Sequence, residues 1–219
     1  MARLPRLVLA GHTHCIVQRG HSGQRVFVDD KDRQSYLDAL RLAAAKESVH
    51  VHAWALLPNE ALLLATPEEA PALGRMVQAV GRRYVSAYNR RHQRSGTLWD
   101  GRFRCGVVEP GAMRLAALRW VDGQSPETGF TTAAHRLGIE RQVWVVDPPE
   151  IWGLGNTPFD REAVYRRLLS EGLPTEVIGL LRRSAVGGWA AGSDFFVAQV
   201  ARLSARPASP RMRGRRRAD

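Results

Sequence analysis

Val49-His50-Val51-His52-Ala53-Trp54-Ala55-Leu56-Leu57-Pro58-Asn59-Glu60-Ala61-Leu62-Leu63-Leu64-Ala65-Thr66 decides the fold. Val49 to Leu57 is β-rich, Pro58-Asn59 is a turn signal, and Ala61 to Thr66 returns as a continuous apolar run, so the stretch reads as a central β-hairpin. Upstream, Asp29-Asp30 supplies carboxylates suited to a helix start, and Tyr36, Leu37, Leu40 and Ala44 follow at helical spacing. Before that helix, Leu7 to Gln18 (LVLAGHTHCIVQ) reads as a first strand.

Downstream, Thr66-Pro67-Glu68-Glu69 reads as a capping box with proline at the first helical position. The expected helix has an apolar stripe of Leu73, Met76, Val77, Val80, Tyr84 and Tyr88, with Arg75, Arg82, Arg83, Arg90 and Arg91 largely around the rest of its axis. Arg102 to Val108 then reads as a fourth strand and Met113 to Val121 as a third helix. The order strand, helix, strand, strand, helix, strand, helix predicts a ferredoxin-like α+β sandwich over residues 1 to 125, with an antiparallel sheet and helices on it.

Beyond it, Pro148-Pro149 marks a break, Thr157-Pro158-Phe159-Asp160 caps a helix, and short helices are expected from Thr175 to Arg183 and Ser193 to Leu203. Residues 126 to 205 therefore read as a small all-helical appendage. Arg206 to Asp219 (RPASPRMRGRRRAD) reads as a disordered basic arm, with Arg213, Arg215, Arg216 and Arg217 as candidate phosphate or minor-groove contacts.

The chain has 219 residues, 44% of them hydrophobic, enough for one good core and a small second one. Its net charge of +11 points to a polyanionic partner, and nucleic acid outranks membrane because no basic amphipathic anchor stands out. No run approaches the roughly 20 apolar residues of a membrane span, and the N-terminal apolar run is too short for a secretory leader, so a cytoplasmic location is expected. Cys15 and Cys105 lack both a disulfide framework and zinc-site spacing and read as buried free thiols. No metal or cofactor is expected.

Five blocks carry a family resemblance: His14-Cys15-Ile16-Val17-Gln18-Arg19-Gly20; His52-Ala53-Trp54-Ala55-Leu56-Leu57-Pro58-Asn59; Gly81-Arg82-Arg83-Tyr84-Val85; Tyr88-Asn89-Arg90-Arg91; and Gly96-Thr97-Leu98-Trp99-Asp100-Gly101-Arg102-Phe103-Arg104. Through them the chain resembles the REP-associated branch of the single-tyrosine HUH transposases. Leu154-Gly155-Asn156-Thr157-Pro158 and the arginine-rich end resemble an extension carried by some relatives. The resemblance implies an HUH fold, a monomer or homodimer, hairpin single-stranded DNA as partner, and Mg²⁺- or Mn²⁺-dependent strand transfer.

In that family a histidine, a hydrophobic residue and a second histidine follow the Pro-Asn turn, and two imidazoles two residues apart on a strand hold one divalent cation. Glu60, Ala61 and Leu62 stand there, and leucine ligates nothing. The family's nucleophilic tyrosine falls in a phrase matched by Arg119-Trp120-Val121, and an indole has no nucleophilic oxygen. With catalytic positions Glu60, Leu62 and Trp120 all altered, the expectation is a transposase-like DNA-binding protein without strand cleavage. Arg82, Arg83, Arg90, Arg91, Arg102 and Arg104 are its candidate phosphate contacts; Trp99 and Phe103 are candidates equally for base stacking and for the core.

Two alternatives stay open: an active transposase or nuclease with a metal site rebuilt around Glu60 and stray histidines, and a non-enzymatic interaction module or decaying mobile-element product whose basic charge is incidental. His50-Val51-His52 and His12-Thr13-His14 have metal-pair spacing, but the first precedes the turn and the second has a polar middle residue, so both read as ordinary strand histidines. Tyr84 and Tyr88 read as core residues rather than substitute nucleophiles.

Overall fold

The computed structural model describes residues 5–124, 130–204 and 206–210. The hairpin forms as the sequence predicts: β2 spans Val49–Leu57 and β3 Glu60–Pro67. With β1 (Thr13–Arg19), β4 (Arg104–Val108) and a short β5 (Ala190–Ala191) they make one sheet in the order β2-β3-β1-β4-β5. The first four strands are antiparallel neighbours; β5 runs parallel to β4. Residues 7–12 do not join β1, and 102–103 precede β4.

Helices α1 (Asp30–Lys46) and α2 (Ala70–Arg91) cover one face. α1 starts where the acidic pair predicts, with the Asp29 carboxylate accepting from the Asp32 amide at 3.1 Å. α2 starts later than the sequence suggested. Pro67 ends β3, the cap residue is Glu69 without a side-chain cap bond, and Pro71 takes the tolerated first-turn place. Tyr36, Leu40, Leu73, Met76, Val80 and Tyr84 pack there against Ile16, Val51, Trp54 and Leu63.

The opposite face is also closed. α3 (Ala112–Asp122), α6 (Pro158–Glu171) and α7 (Thr175–Gly187) bring Leu118, Trp120, Val121, Tyr165, Leu181 and Ala185 against Cys15, Val17, Ala55, Leu62 and Leu64. Two covered faces explain why β3 is a continuous apolar run rather than an alternating one. At Gly106 an added Cβ would lie 2.5 Å from the Trp189 carbonyl oxygen and 2.6 Å from that of Ser184, so only glycine lets α7 and the following turn approach β4 this closely.

The C-terminal part is therefore neither all-helical nor an appendage. α4 (Ala133–Arg136), α5 (Pro149–Trp152) and α8 (Asp194–Leu203) join the layers just described, and β5 extends the sheet. Two alanines carry no strand periodicity, which hid β5 in the sequence. The Thr157–Asp160 capping box at α6 forms as predicted, and Ser193 caps α8. Residues 206–210 do not belong to a disordered arm: Arg206 bonds to the Pro5 and Gly188 carbonyls, and Ala208 is buried with its carbonyl accepting from the Ala190 amide. Residues 211–219 lie outside the described residues.

The outer rim of β2 is bonded by irregular chain: the Leu56 amide donates to the Phe130 carbonyl, the Thr132 amide to Trp54, and the Val146 amide to Val51. Among the described residues, no helix is long and apolar enough to cross a membrane.

Candidate nucleic-acid interface

The second core contains the positions that the sequence marks as altered catalytic sites. Leu62 is 1% exposed and lies directly across from Val17 on β1 and Ala55 on β2, so both its cross-strand neighbours have apolar side chains. Trp120 is 3% exposed in the same apolar cluster. Glu60 is buried beside them on β3, where its Oε2 accepts from Arg19 Nε at 2.6 Å across the strand pair. A divalent cation needs several oxygen or imidazole donors converging on one point. One carboxylate already engaged by a guanidinium, a leucine and a buried indole do not fit that requirement.

Among the described residues, none of the stray histidines is paired as a metal clamp: His52 is satisfied within the fold, His50 is exposed, His12 is half-buried, and His14 is buried with Nε2 engaged and Nδ1 without a partner. The strand register slips between Val51 and Ala53, which leaves His52 as the extra residue of a bulge. Its Nδ1 donates to the Val146 carbonyl at 2.6 Å, its Nε2 accepts from the Thr66 hydroxyl at 2.8 Å, and burial holds its pKa down to about 4. His50 is exposed, 3.3 Å from Glu68. His14 is fully buried, accepts from the Leu9 amide at 3.1 Å, and is pushed by burial down to about 3; His12 bonds to the Ala10 carbonyl. Among the described residues, no three His, Cys, Asp or Glu side chains gather where a metal could sit.

The tyrosine hydroxyls are all occupied as donors: Tyr84 to the Val26 carbonyl, Tyr88 to that of Arg25 at 3.2 Å, Tyr36 to Gln18, and Tyr165 to Asp122 at 2.6 Å. Burial raises the pKa of Tyr36, Tyr84 and Tyr165, which disfavours phenolate. Cys15 and Cys105 are buried free thiols.

The cationic candidates separate into distinct sets. Arg82 and Arg83, with Arg90 about two turns on, are exposed along α2; with Lys46 of α1 they line an open groove of about 630 Å³ floored by Ala39 and Ala43. Among the described residues, none of these three arginines makes a hydrogen bond or ion pair with a neighbour. Arg91 differs. It binds Asp29 and Asp32, at 2.6 and 2.5 Å, so its charge is neutralised within the fold and it is withdrawn from the phosphate set. Arg102 and Arg104 are exposed at the start of β4, Arg104 donating to the Val186 carbonyl at 3.3 Å.

Trp99 is not a stacking surface. It is 6% exposed in an aromatic cluster, its ring centroid 6.1 Å from those of Tyr36 and Tyr84 and 6.3 Å from that of Phe27. Phe103 is 9% exposed with the Arg6 guanidinium over its ring at 3.9 Å, so that face too is taken. Arg213, Arg215, Arg216 and Arg217 lie outside the described residues. Sequence reading missed Arg6, Trp189 and Arg206, which the fold brings beside Phe103 and Arg104. No motif marks them, because they come from opposite ends of the chain.

The sheet order and helix placement define a ferredoxin-like α+β fold extended at one edge by a parallel strand. Among solved structures, this fold is similar to that of a REP-associated tyrosine transposase bound to a REP hairpin. The TM-score is 0.53 at 12% identity, over 68% of this chain and 93% of that one. A transposase candidate from Deinococcus radiodurans R1 aligns with a TM-score of 0.40 and 19% identity, over 56% of this chain and 98% of that one. No protein-family profile and no curated protein matches the chain.

Proposed function

We propose that this chain is a transposase-like DNA-binding protein that grips structured or hairpin single-stranded DNA and does not cut it. The observation that carries the reading is the filled second face: where the resemblance calls for two metal-binding imidazoles and a phenol, Leu62 and Trp120 lie within an apolar cluster and Glu60 is held by Arg19. Phosphodiester exchange through a tyrosine needs an accessible nucleophilic oxygen, which these side chains do not supply. The binding half rests on the three unneutralised arginines of the α2 groove and the net charge of +11. The REP hairpin held by the structural neighbour makes hairpin DNA the first ligand to try.

The test is fluorescence anisotropy with a labelled DNA hairpin, read beside a denaturing gel after incubation with Mg²⁺ or Mn²⁺. The three groove contacts alone give, on single-stranded DNA, a log–log salt slope of about −2, so affinity should fall by at least roughly 15- to 20-fold between 50 and 200 mM salt. No covalent protein–DNA species should appear. Salt-indifferent binding would remove the cationic groove from the account, and a covalent adduct would remove the claim of lost chemistry.

A further inference from the structure

A second cationic feature lies away from α2, in a cleft of about 280 Å³ between the start of β4 and the turn joining α7 to β5. Its walls bring together Arg6 from the N-terminal segment, Arg102, Phe103 and Arg104 before and at β4, Trp189 from the turn, and Arg206 from the C-terminal segment. Among the described residues, no aspartate or glutamate lines it.

Arg104 and Arg206 are oriented by contacts that carry no counter-charge, and Arg102 stands exposed beside them. Arg6 stacks on Phe103 and its Nε donates to the Phe103 carbonyl at 3.1 Å. Arg206 lies 4.8 Å over the Trp189 ring and donates to the Pro5 and Gly188 carbonyls, each at 2.8 Å. Arg104 donates to the Val186 carbonyl. Carbonyls and ring faces hold a planar guanidinium in place, yet carry no counter-charge of their own. The turn is shaped for this wall: a Cβ at Gly187 would meet Trp189 Nε1 at 2.2 Å, so glycine is what lets the indole fold back, and Gly188 sits at φ +72°. Converging like charges repel, and an anion in the cleft relieves that repulsion.

We infer that this cleft binds backbone phosphates of a single-stranded DNA segment, as an anchor separate from the α2 groove. This assignment rests on the DNA-binding reading above. Phosphodiester is the occupant that the charge favours, because several preoriented guanidiniums match its paired oxygens, and the sequence runs on from Pro210 into Arg211-Met212-Arg213-Gly214-Arg215-Arg216-Arg217, continuing the positive charge.

The experiment uses the full chain, labelled oligo-dT as probe, and two double variants, Arg102→Gln/Arg104→Gln in the cleft and Arg82→Gln/Arg83→Gln in the groove, each verified by thermal unfolding. Arg102 and Arg104 are exposed, so their loss should leave the fold intact. Losing two phosphate contacts should make the salt slope shallower by about 1.4. Inorganic tripolyphosphate, as competitor, should displace the oligonucleotide only at far higher phosphate concentration. An unchanged slope in the cleft variant beside a shallower one in the groove variant overturns the cleft and leaves the DNA-binding reading standing. Salt-independent binding in every protein overturns both. Equal competition by tripolyphosphate, abolished by the cleft substitutions, would make the cleft a site for free polyphosphate and overturn the strand assignment.

Discussion

Replacing Leu62 by histidine restores one imidazole to the position where the family resemblance expects it, and the structure gives the cost. Leu62 is 1% exposed, with Val17 and Ala55 as cross-strand neighbours. Removing a fully buried leucine forfeits about 1.5–3 kcal/mol of apolar burial. Placing ring nitrogens among side chains without polar atoms adds about 1–3 kcal/mol of unmet hydrogen bonding. The sum, about 4 kcal/mol, corresponds to a fall of roughly 8–16 °C in melting temperature for a chain of this size. An open, solvated metal face would tolerate the same change within about 0.5 kcal/mol. Thermal and urea unfolding of Leu62→His, with and without Mn²⁺, separate the two cases. A variant melting within a few degrees of the parent, or one that Mn²⁺ restores to parental stability, would refute the closed-face argument.

Two further outcomes follow from the buried polar groups. His52 has a folded pKa held at about 4, below its ordinary 6.5, so the unfolded chain binds more protons between these values and stability falls as pH drops from about 6.5 towards 4. Up to about 3 kcal/mol is at stake for His52, and His14, pushed down to about 3, adds to the same slope, so pH-dependent urea midpoints should become shallower without flattening over that window in His52→Gln; an unchanged pH profile would count against it. Asp122 accepts from Arg136 at 2.7 Å, Tyr165 at 2.6 Å and Thr132 at 2.6 Å, with both charged side chains wholly buried. Asp122→Asn should cost about 3 kcal/mol, at the low end for a broken buried pair because Asp147 remains 3.0 Å from Arg136 Nε; calorimetry should find Tm lower by roughly 6–12 °C, and a shift under 2 °C would contradict the role given to this network.

The first half of the fold was legible because its signals are local. Asp29, the Val49–Leu57 strand with its Pro58-Asn59 turn, and the stripe from Leu73 to Tyr88 each state their structure within one element. The second half was not, because its signals are distant. That α7 covers β4 depends on Gly106 meeting Ser184 and Trp189, and β5 is two alanines recognisable only by their neighbour. The uninterrupted apolar run of β3 reads only as the return strand of a hairpin; that both its faces are covered is what the structure adds, since periodicity alone leaves such a run ambiguous between strand and buried helix. At the candidate interface, the exposed arginines of α2 followed from helical spacing. The withdrawal of Arg91 and Trp99 did not, since it takes Asp29, Asp32 and three aromatic rings from elsewhere in the chain.

Both margins of the sheet are occupied. β5 shields the outer side of β4, and the chain around Phe130, Thr132 and Val146 ties up the free side of β2. Strand-to-strand joining with another molecule would first require peeling one of these away, so ordered β-mediated assembly meets a barrier at either end. Self-association, where it occurs, is left to helix surfaces, and its geometry would be set by side-chain complementarity rather than by a backbone ladder.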